Sequence, residues 1–326
     1  PISPGKRLDY IDYAKGLGML TIMWGHIKLT GITNEFVYAF HIPLFFFLSG
    51  MVFSKDRYAD FKHFFWRKVK TLLVPYVIFS FITWCVWAGF NYLTHAEVDS
   101  YWMPLMQTVI AQGSGGFLLH DVPLWFVTCL FVIEMAYWQV SKLNDVANLV
   151  LCGVCAVLGW YLVYKVEFWD FRLMPWNIEV ALMAIVFYAA GHLMVKHLEH
   201  EGLMKTVENH RQSWWLLTAV LFVGTAWGGH YNGAVSMGHS QISHHHPYMF
   251  YTTAFIGIAA MLLFCLMLAT TDWTGWWKKA VGWMRWYGRN SFNAMAIHNP
   301  IKGFLIVVIA KLVHDTTDYV SDQYGL

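Results

Sequence analysis

The residues best suited to chemistry begin in segment 8–30, LDYIDYAKGLGMLTIMWGHIKLT, which is mostly apolar yet contains Asp12, Lys15 and His26. Lys15 and His26 are eleven residues apart. On a helix this separation is about 1,100°, only ~20° from three whole turns, with a rise of roughly 16 Å. Both side chains are therefore predicted to lie on one helix face. Ionisable groups are costly in hydrocarbon and normally face a polar interior, so this helix is predicted to form one wall of a reaction site.

A second histidine is predicted beside the first. His41 lies near the start of the next apolar segment, which contains FHIPLFFFLSG, and it should reach a depth near that of His26. A membrane imidazole can form a helix–helix hydrogen bond, bind a metal or transfer a proton. Two imidazoles converging with Lys15 favour chemistry over packing. In the same segment, Ser49 and Gly50 form a small surface that permits close helix approach.

The C-terminal segment GRNSFNAMAIHNPIKGF also carries ionisable groups into an apolar region. Arg289, Asn290 and Ser291 open the predicted last helix, with Ser291 as its N-cap. His298 and Lys302 are four residues apart, which places them on one face of that helix.

Two further charged features lie between these ends. Glu134 interrupts the apolar run PLWFVTCLFVIEMAY, so it must be paired, protonated or exposed to water. The basic block 55–70, KDRYADFKHFFWRKVK, is predicted to be an amphipathic surface helix. It either attracts anionic membrane lipids or docks a phosphorylated cytosolic donor.

The composition indicates that these ionisable groups belong to a membrane protein. The chain is 57% hydrophobic and 13% charged, against about 25% charged in ordinary globular domains. Segments 72–93 and 249–269 contain no charged residue, and each has about the ~20 residues that cross a bilayer core. We predict an all-α, polytopic membrane bundle of about nine to ten transmembrane helices in one domain, 1–326. The predicted spans are 12–30, 36–53, 72–93, 122–140, 146–164, 178–196, 213–229, 249–269 and 290–312.

Loop charge predicts the orientation. With the N-terminus in the cytoplasm, the cytoplasmic loops hold sixteen lysines and arginines, whereas the opposite loops hold only Lys165 and Arg172. This asymmetry predicts a cytoplasmic N-terminus, and the expected location is a bacterial inner (plasma) membrane. Segment 101–121 is predicted to be re-entrant, since a tenth crossing there would upset the charge balance.

Other functional classes have little support. Nothing in the charge pattern favours nucleic-acid binding, and membrane lipids are the expected surroundings. Three adjacent histidines, 244–246, cannot all face one ion, and no carboxylate or cysteine accompanies them, so no metal is expected. The five cysteines lie in apolar segments, which predicts buried side chains and no disulfide framework.

Several motifs resemble the acyltransferase-3 family of integral-membrane acyltransferases, in particular the fucose 4-O-acetylase-like branch. They are DYAKGLGMLTIMWGH, FHIPLFFFLSGMVF, RKVKTLLVPY, PLWFVTCLFVIE and GRNSFNAMAIHNP. The first contains the family signature of a basic residue, a ten-residue gap and a histidine. The resemblance implies transfer of an acyl group, usually acetyl from acetyl-CoA, to a hydroxyl of an envelope carbohydrate or glycolipid. It also implies that the donor comes from the cytoplasm.

The resemblance assigns roles to individual residues. His26 matches the essential histidine and Lys15 its basic partner, although many members have arginine there. Asp12 stands at the acidic position and His298 at the late histidine. The predicted enzyme is an O-acetyltransferase in which His26 is the base, and Lys15, His41 or a backbone amide stabilises the oxyanion. The predicted donor-binding residues are Lys62, Arg67, Lys68, Lys70 and Arg289, and the predicted acceptor-binding residues are Trp24, Trp125, Ser49 and Asn290.

Two alternatives stay open from the sequence. Transfer is either direct, in a ternary complex, or relayed through an acyl-enzyme on His26 or a hydroxyl such as that of Ser49. The rival function is a proton-coupled transporter or flippase of a small polar molecule or lipid-linked glycan. Such carriers often consist of two related halves, and no such repeat is visible here.

Overall fold

The computed structural model describes residues 8–26, 31–94, 97–114, 117–166, 170, 174–243 and 246–313. Within these ranges the chain is predominantly α-helical and contains no β-strand, which confirms the predicted fold class. The helices are α1 (Asp9–Gly25), α2 (Ile32–Met51), α3 (Phe61–Lys68), α4 (Val74–Thr94), α5 (Met103–Gln107), α6 (Trp125–Val140), α7 (Asp145–Lys165), α8 (Ile178–His197), α9 (His200–Asn209), α10 (Arg211–Asn232), α11 (Pro247–Ala269), α12 (Gly275–Arg289) and α13 (Ser291–Val313).

Seven helical segments in the described chain are long and apolar enough to cross a membrane. They are Ile32–Met51, Phe61–Leu93, Val122–Val140, Asp145–Lys165, Pro175–His197, Pro247–Ala269 and Ser291–Ile309. Two predicted spans, α1 and α10, fall outside this set. α1 has 17 residues and includes Asp9, Asp12 and Lys15, and α10 opens with the polar residues Arg211, Gln212 and Ser213.

The chain separates into two compact units. The first contains residues 1–53, 187–236 and 242–294. In it, α1 packs against α2, α11 and α12, while α10 and α11 pack against each other and against α2. A Cβ at Gly50 would strike the Tyr188 backbone, and one at Gly191 would strike the Phe47 backbone. α2 and the second half of α8 therefore touch backbone to backbone, which confirms the close approach predicted at Gly50.

The second unit contains residues 54–186, 237–241 and 295–326. Here the basic block contains the predicted amphipathic surface helix, α3, but this helix is continuous with the next span. α3 begins at Phe61, where the Asp60 side chain caps it by accepting a hydrogen bond from the His63 amide at 2.8 Å. It then continues through one π-helical turn, Val69–Leu73, directly into α4. The hydropathy pattern predicted a helix boundary where the charged block ends, but the helical backbone hydrogen bonding continues across that position.

Segment 101–121 does not form a tenth crossing helix. It contains α5, whose five residues rise only about 7.5 Å, followed by turns within residues 108–114 and 118–120. Ala111, Gln112 and Leu118 are fully buried in this segment, whereas Met106 and Val109 are exposed, so only part of it packs inside the unit.

The first helix also differs in its limits from the predicted 12–30. It begins at Asp9 and ends at Gly25, because Asp9 and Asp12 favour the positive end of the helix dipole and the chain turns at His26. The predictions made for residues 27–30, His244, His245 and the tail beyond residue 313 lie outside the described residues.

Candidate active site

The helix that carries Asp12, Lys15 and His26 is fastened to α12 by two arginines. Arg289 Nε donates to Asp12 Oδ2 at 2.9 Å, and Arg285 Nη1 donates to Asp9 Oδ2 at 2.8 Å. Asp12 is buried, with an exposed fraction of 3%. The predicted donor-binding residue Arg289 thus pairs with the predicted acidic position, and the pair fixes the first turns of α1.

The same two helices make backbone contact. A Cβ at Gly16 would lie 2.6 Å from the Met284 carbonyl oxygen, and one at Gly288 would strike the Asp12 carbonyl. Only glycine allows this approach. Lys15, half-buried on α1, is adjacent to this crossing, so the packing that aligns α12 also sets the position of Lys15.

α1 runs antiparallel to α2 in a register that two glycines define. Gly18 lies against Leu44 and Phe45, and Gly25 lies against Val37 and Tyr38. The Tyr38 hydroxyl donates to the Gly25 carbonyl at 3.0 Å. These contacts tie the C-terminal end of α1 to the first half of α2.

The register fixes the heights of the three predicted catalytic groups. His41 falls level with the turn of α1 near Thr21, about 7 Å along the axis from His26 and roughly 10 Å from Lys15. It therefore lies between the other two groups in height and not level with His26. His26 is half-buried directly after α1 and keeps helical backbone angles.

His41 has a defined tautomer when its ring is neutral. Its Nδ1 lies 2.6 Å from the Val37 carbonyl oxygen, and a carbonyl only accepts, so Nδ1 carries the proton. Nε2 is then the unprotonated nitrogen, a proton acceptor. The ring is 4% exposed and meets Tyr38 edge-on, with centroids 4.9 Å apart.

The predicted acceptor-binding residues of the first unit differ in exposure. Trp24 is 50% exposed. The Ser49 hydroxyl donates to the Phe45 carbonyl at 2.8 Å, a bond within its own helix. Asn290, at the joint of α12 and α13, donates from Nδ2 to the Trp286 carbonyl at 2.9 Å.

In the second unit, one cation of the basic block is paired. Lys68 Nζ lies 2.7 Å from Glu134 Oε1, and the side-chain exposed fractions are 19% and 5%. Of the three states that the sequence allowed for Glu134 in α6 (paired, protonated or exposed to water), the structure shows the paired one. Lys62, Arg67 and Lys70 are exposed on the same helical stretch.

The remaining predicted residues of this unit are buried. His298 is 6% exposed, and its Nδ1 donates to the Met295 carbonyl at 2.7 Å. Trp125 is 6% exposed, and its indole lies so close to Gly113 and Gly238 that a Cβ at either would approach it within 3 Å. Trp125 is thus placed as a packing residue between two loops.

Glu179 is a buried acid that the sequence reasoning missed. Its Oε1 accepts hydrogen bonds from Ser240 Oγ at 2.9 Å and from Gln112 Nε2 at 3.3 Å. Asn177 joins the same loops by accepting from the Gly113 amide at 3.1 Å. The criterion that singled out Glu134, an acid in an apolar run, also applies to Glu179.

The loops around Glu179 are held in costly backbone conformations. Ala111, Trp176, Asn177 and Ser240 have φ between 51° and 60°. Left-handed φ in non-glycine residues costs roughly 1–2 kcal/mol each. The buried hydrogen bonds of Glu179 and Asn177 hold these segments together against that cost.

His120 and Asp121 were also missed, because they follow a glycine-rich loop with no recognisable motif. They are 5% and 1% exposed. Neither ring nitrogen of His120 and neither carboxylate oxygen of Asp121 has a hydrogen-bond partner. Burial lowers the pKa of His120 to about 4 and raises the pKa of Asp121 well above its usual range.

No group of three or more histidine, cysteine, aspartate or glutamate side chains within the described ranges is arranged to hold a metal ion. In the first unit, α1 instead carries the cation Lys15 and the buried Asp12 that pairs with Arg289, and His26 follows directly after it. Such a set is suited to proton transfer and to stabilising developing negative charge.

Comparison with known proteins gives the reaction class. The sequence model of the acyltransferase-3 family, described as an acyltransferase domain, matches residues 8–319. No curated protein and no solved structure matches the chain. Because the match covers nearly the whole chain, from α1 to beyond α13, the protein belongs to the acyltransferase-3 family and is an integral-membrane acyltransferase.

Proposed function

We propose that this protein transfers an acetyl group from cytosolic acetyl-CoA to a hydroxyl of an envelope carbohydrate or glycolipid. It acts in the bacterial inner membrane with its N-terminus in the cytoplasm. The observation that carries the proposal is the construction of α1. Within the matched region, Asp12, Lys15 and His26 follow one helix that Arg289 and close glycine contacts fix in place.

The reaction needs a base because a sugar hydroxyl has a very high pKa. His26 removes the hydroxyl proton as the oxygen attacks the thioester carbonyl carbon. The tetrahedral intermediate then collapses, the carbon–sulfur bond breaks, and the CoA thiolate leaves and takes up a proton. Such base assistance is typically worth about 10²–10⁴-fold in rate, and the near-neutral pKa typical of histidine suits it.

The oxyanion is assigned to Lys15. Its ammonium is always a donor, whereas a neutral His41 ring has its only N–H engaged by the Val37 carbonyl. His41 Nε2 instead suits a second proton-accepting position, between the heights of His26 and Lys15.

The donor phosphates are assigned to the exposed cations of the basic block, Lys62, Arg67 and Lys70. Charge-assisted hydrogen bonds from such groups are the usual means of holding phosphate. Lys68 is paired with Glu134 and Arg289 with Asp12, so these two cations serve mainly to position their helices.

The test is acetyl transfer by purified full-length protein in lipid nanodiscs, with radiolabelled acetyl-CoA and an envelope glycan extract. We expect His26→Ala to lower transfer at least about 100-fold. The matched control is His197→Ala, which removes an exposed histidine at the end of α8 and should leave transfer unchanged. The proposal fails if His26→Ala keeps wild-type transfer, or if the wild type does not turn over acetyl-CoA while vesicles containing it accumulate a solute.

A further inference from the structure

The second unit contains a cavity that no step above uses. Its volume is about 440 Å³, and it lies between the second half of α4, the loop at His120 and the middle of α13. Small-molecule sites commonly occupy roughly 300–1,000 Å³, so its size suits a sugar ring with a short apolar extension.

His120 is the residue of this cavity whose unsatisfied hydrogen-bonding groups indicate a ligand. It lines the cavity, is only 5% exposed, and neither of its ring nitrogens has a hydrogen-bond partner. A buried polar group left without a partner costs about 1–3 kcal/mol. A neutral imidazole offers one donor and one acceptor on different edges of its ring, which two neighbouring hydroxyls of one sugar can satisfy.

The backbone before His120 adds a second cost. Leu118, two residues earlier, is fully buried and has a φ of 51°, a left-handed conformation that a branched side chain rarely adopts. Strain of this kind persists only where the surrounding structure fixes it. Here it turns the chain so that Leu119 and His120 face the cavity.

The other walls divide into polar and apolar groups. Asn299 and Lys302 line the cavity with a carboxamide and an ammonium, whereas Phe90, Phe304 and Ile306 are apolar. Phe304 is 63% exposed, so the apolar side is continuous with the surface that faces lipid in a membrane. A free polysaccharide would use only the polar part of this lining.

We infer that this cavity binds the acceptor as a sugar attached to an apolar chain, with the sugar hydroxyls on His120 and Asn299 and the chain along Phe90 and Phe304. The inference rests on the proposed function, because only that function makes the bound molecule an acyl acceptor. It narrows the acceptor from carbohydrates in general to glycolipids. The cavity itself is a binding site of the second unit whatever reaction the protein performs.

The test uses photoaffinity labelling of the full-length protein in nanodiscs. The probe is n-octyl β-D-glucopyranoside with a diazirine in the alkyl chain, and the labelled peptides are mapped by mass spectrometry. We expect saturable labelling within residues 83–91 or 299–306. Unlabelled octyl glucoside should compete at least ten times better than methyl β-D-glucopyranoside.

Two variants make the result specific. A Cβ at Gly303 meets nothing within 4 Å, so Gly303→Phe fills the cavity without a backbone clash and should lower labelling at least tenfold. His120→Leu, whose side chain offers neither a donor nor an acceptor, should weaken competition by octyl glucoside. The control is Gly153→Phe, which adds the same ring at an open helix position outside the cavity lining and should leave labelling unchanged.

The outcomes separate this inference from the proposed function. Equal labelling of wild type and Gly303→Phe, labelling spread evenly over all lipid-facing helices, or equal competition by the methyl glycoside each overturns the glycolipid site. Release of CoA thiol is measured in the same preparation. Specific labelling without any thiol release overturns the proposed function instead and leaves the site in place.

Discussion

Replacing Gly16 by alanine tests whether the crossing of α1 and α12 positions the catalytic helix. The new Cβ would lie 2.6 Å from the Met284 carbonyl oxygen, whereas ordinary contact begins at 3.4 Å. Because this neighbour is backbone, α1 has to move away by about 0.8 Å to relieve the overlap. The change adds one methyl group and removes no charged or hydrogen-bonding side chain.

That movement has two calculable effects. The 2.9 Å bond from Arg289 to Asp12 lengthens to roughly 3.7 Å, beyond hydrogen-bonding distance. Overpacking of this kind lowers the free energy of unfolding by about 1–3 kcal/mol. Lys15 moves with its helix, and a displacement near 1 Å at a reacting group costs up to about 100-fold in rate. We therefore expect kcat to fall about 10- to 100-fold.

The assay is acetyl-CoA turnover well below the melting temperature, with the melting curve followed by tryptophan fluorescence in the same nanodiscs. The matched control is Gly282→Ala on α12, where a Cβ meets nothing within 4 Å, and both quantities should stay at wild-type values. If Gly16→Ala is as active and as stable as Gly282→Ala, the crossing does not position α1 and the argument from the glycine contacts is refuted.

Three further perturbations address the rest of the molecule. Glu134→Gln leaves the largely buried Lys68 without its counter-ion and should lower the free energy of unfolding by about 2 kcal/mol. Replacing both partners, Glu134 by leucine and Lys68 by methionine, should recover most of that loss in thermal melts. His120 has a pKa lowered from 6.5 to about 4, so its contribution to stability is complete above pH 6.5 and is lost as the pH falls toward 4; melting temperatures measured across that range should fall less steeply for His120→Gln than for wild type. Gly50→Ala, whose Cβ strikes the α8 backbone, should destabilise by about 1–3 kcal/mol in denaturation assays, whereas Gly153→Ala should not.

Some parts of the candidate site followed from local rules. The predicted alignment of Lys15 and His26 depends only on helix geometry, and the structure places His26 directly after the helix that carries Lys15. The pairing requirement for Glu134 followed from the cost of an isolated charge in an apolar run, and the structure supplies Lys68. The seven long apolar helices followed from the hydrophobic runs.

Other parts depended on contacts that no local rule encodes. Gly303 of α13 and His120 line one cavity in the second unit, and His120 does so from a loop that has no helical or strand periodicity. Glu179 was missed although it meets the same criterion as Glu134, since its significance comes from Gln112 and Ser240, 67 and 61 residues away.

The amino-acid sequence alone thus determines a polytopic helical membrane protein whose first helix carries an acid, a cation and an imidazole in series. These properties follow from hydrophobicity and from the helical period, which act within a few turns of one segment. Only the tertiary structure decides that Arg289 meets Asp12 across 277 residues of chain and that His41 lies between Lys15 and His26 in height. The physical reason is that such pairings depend on which helices touch, and that depends on where glycine permits two backbones to approach.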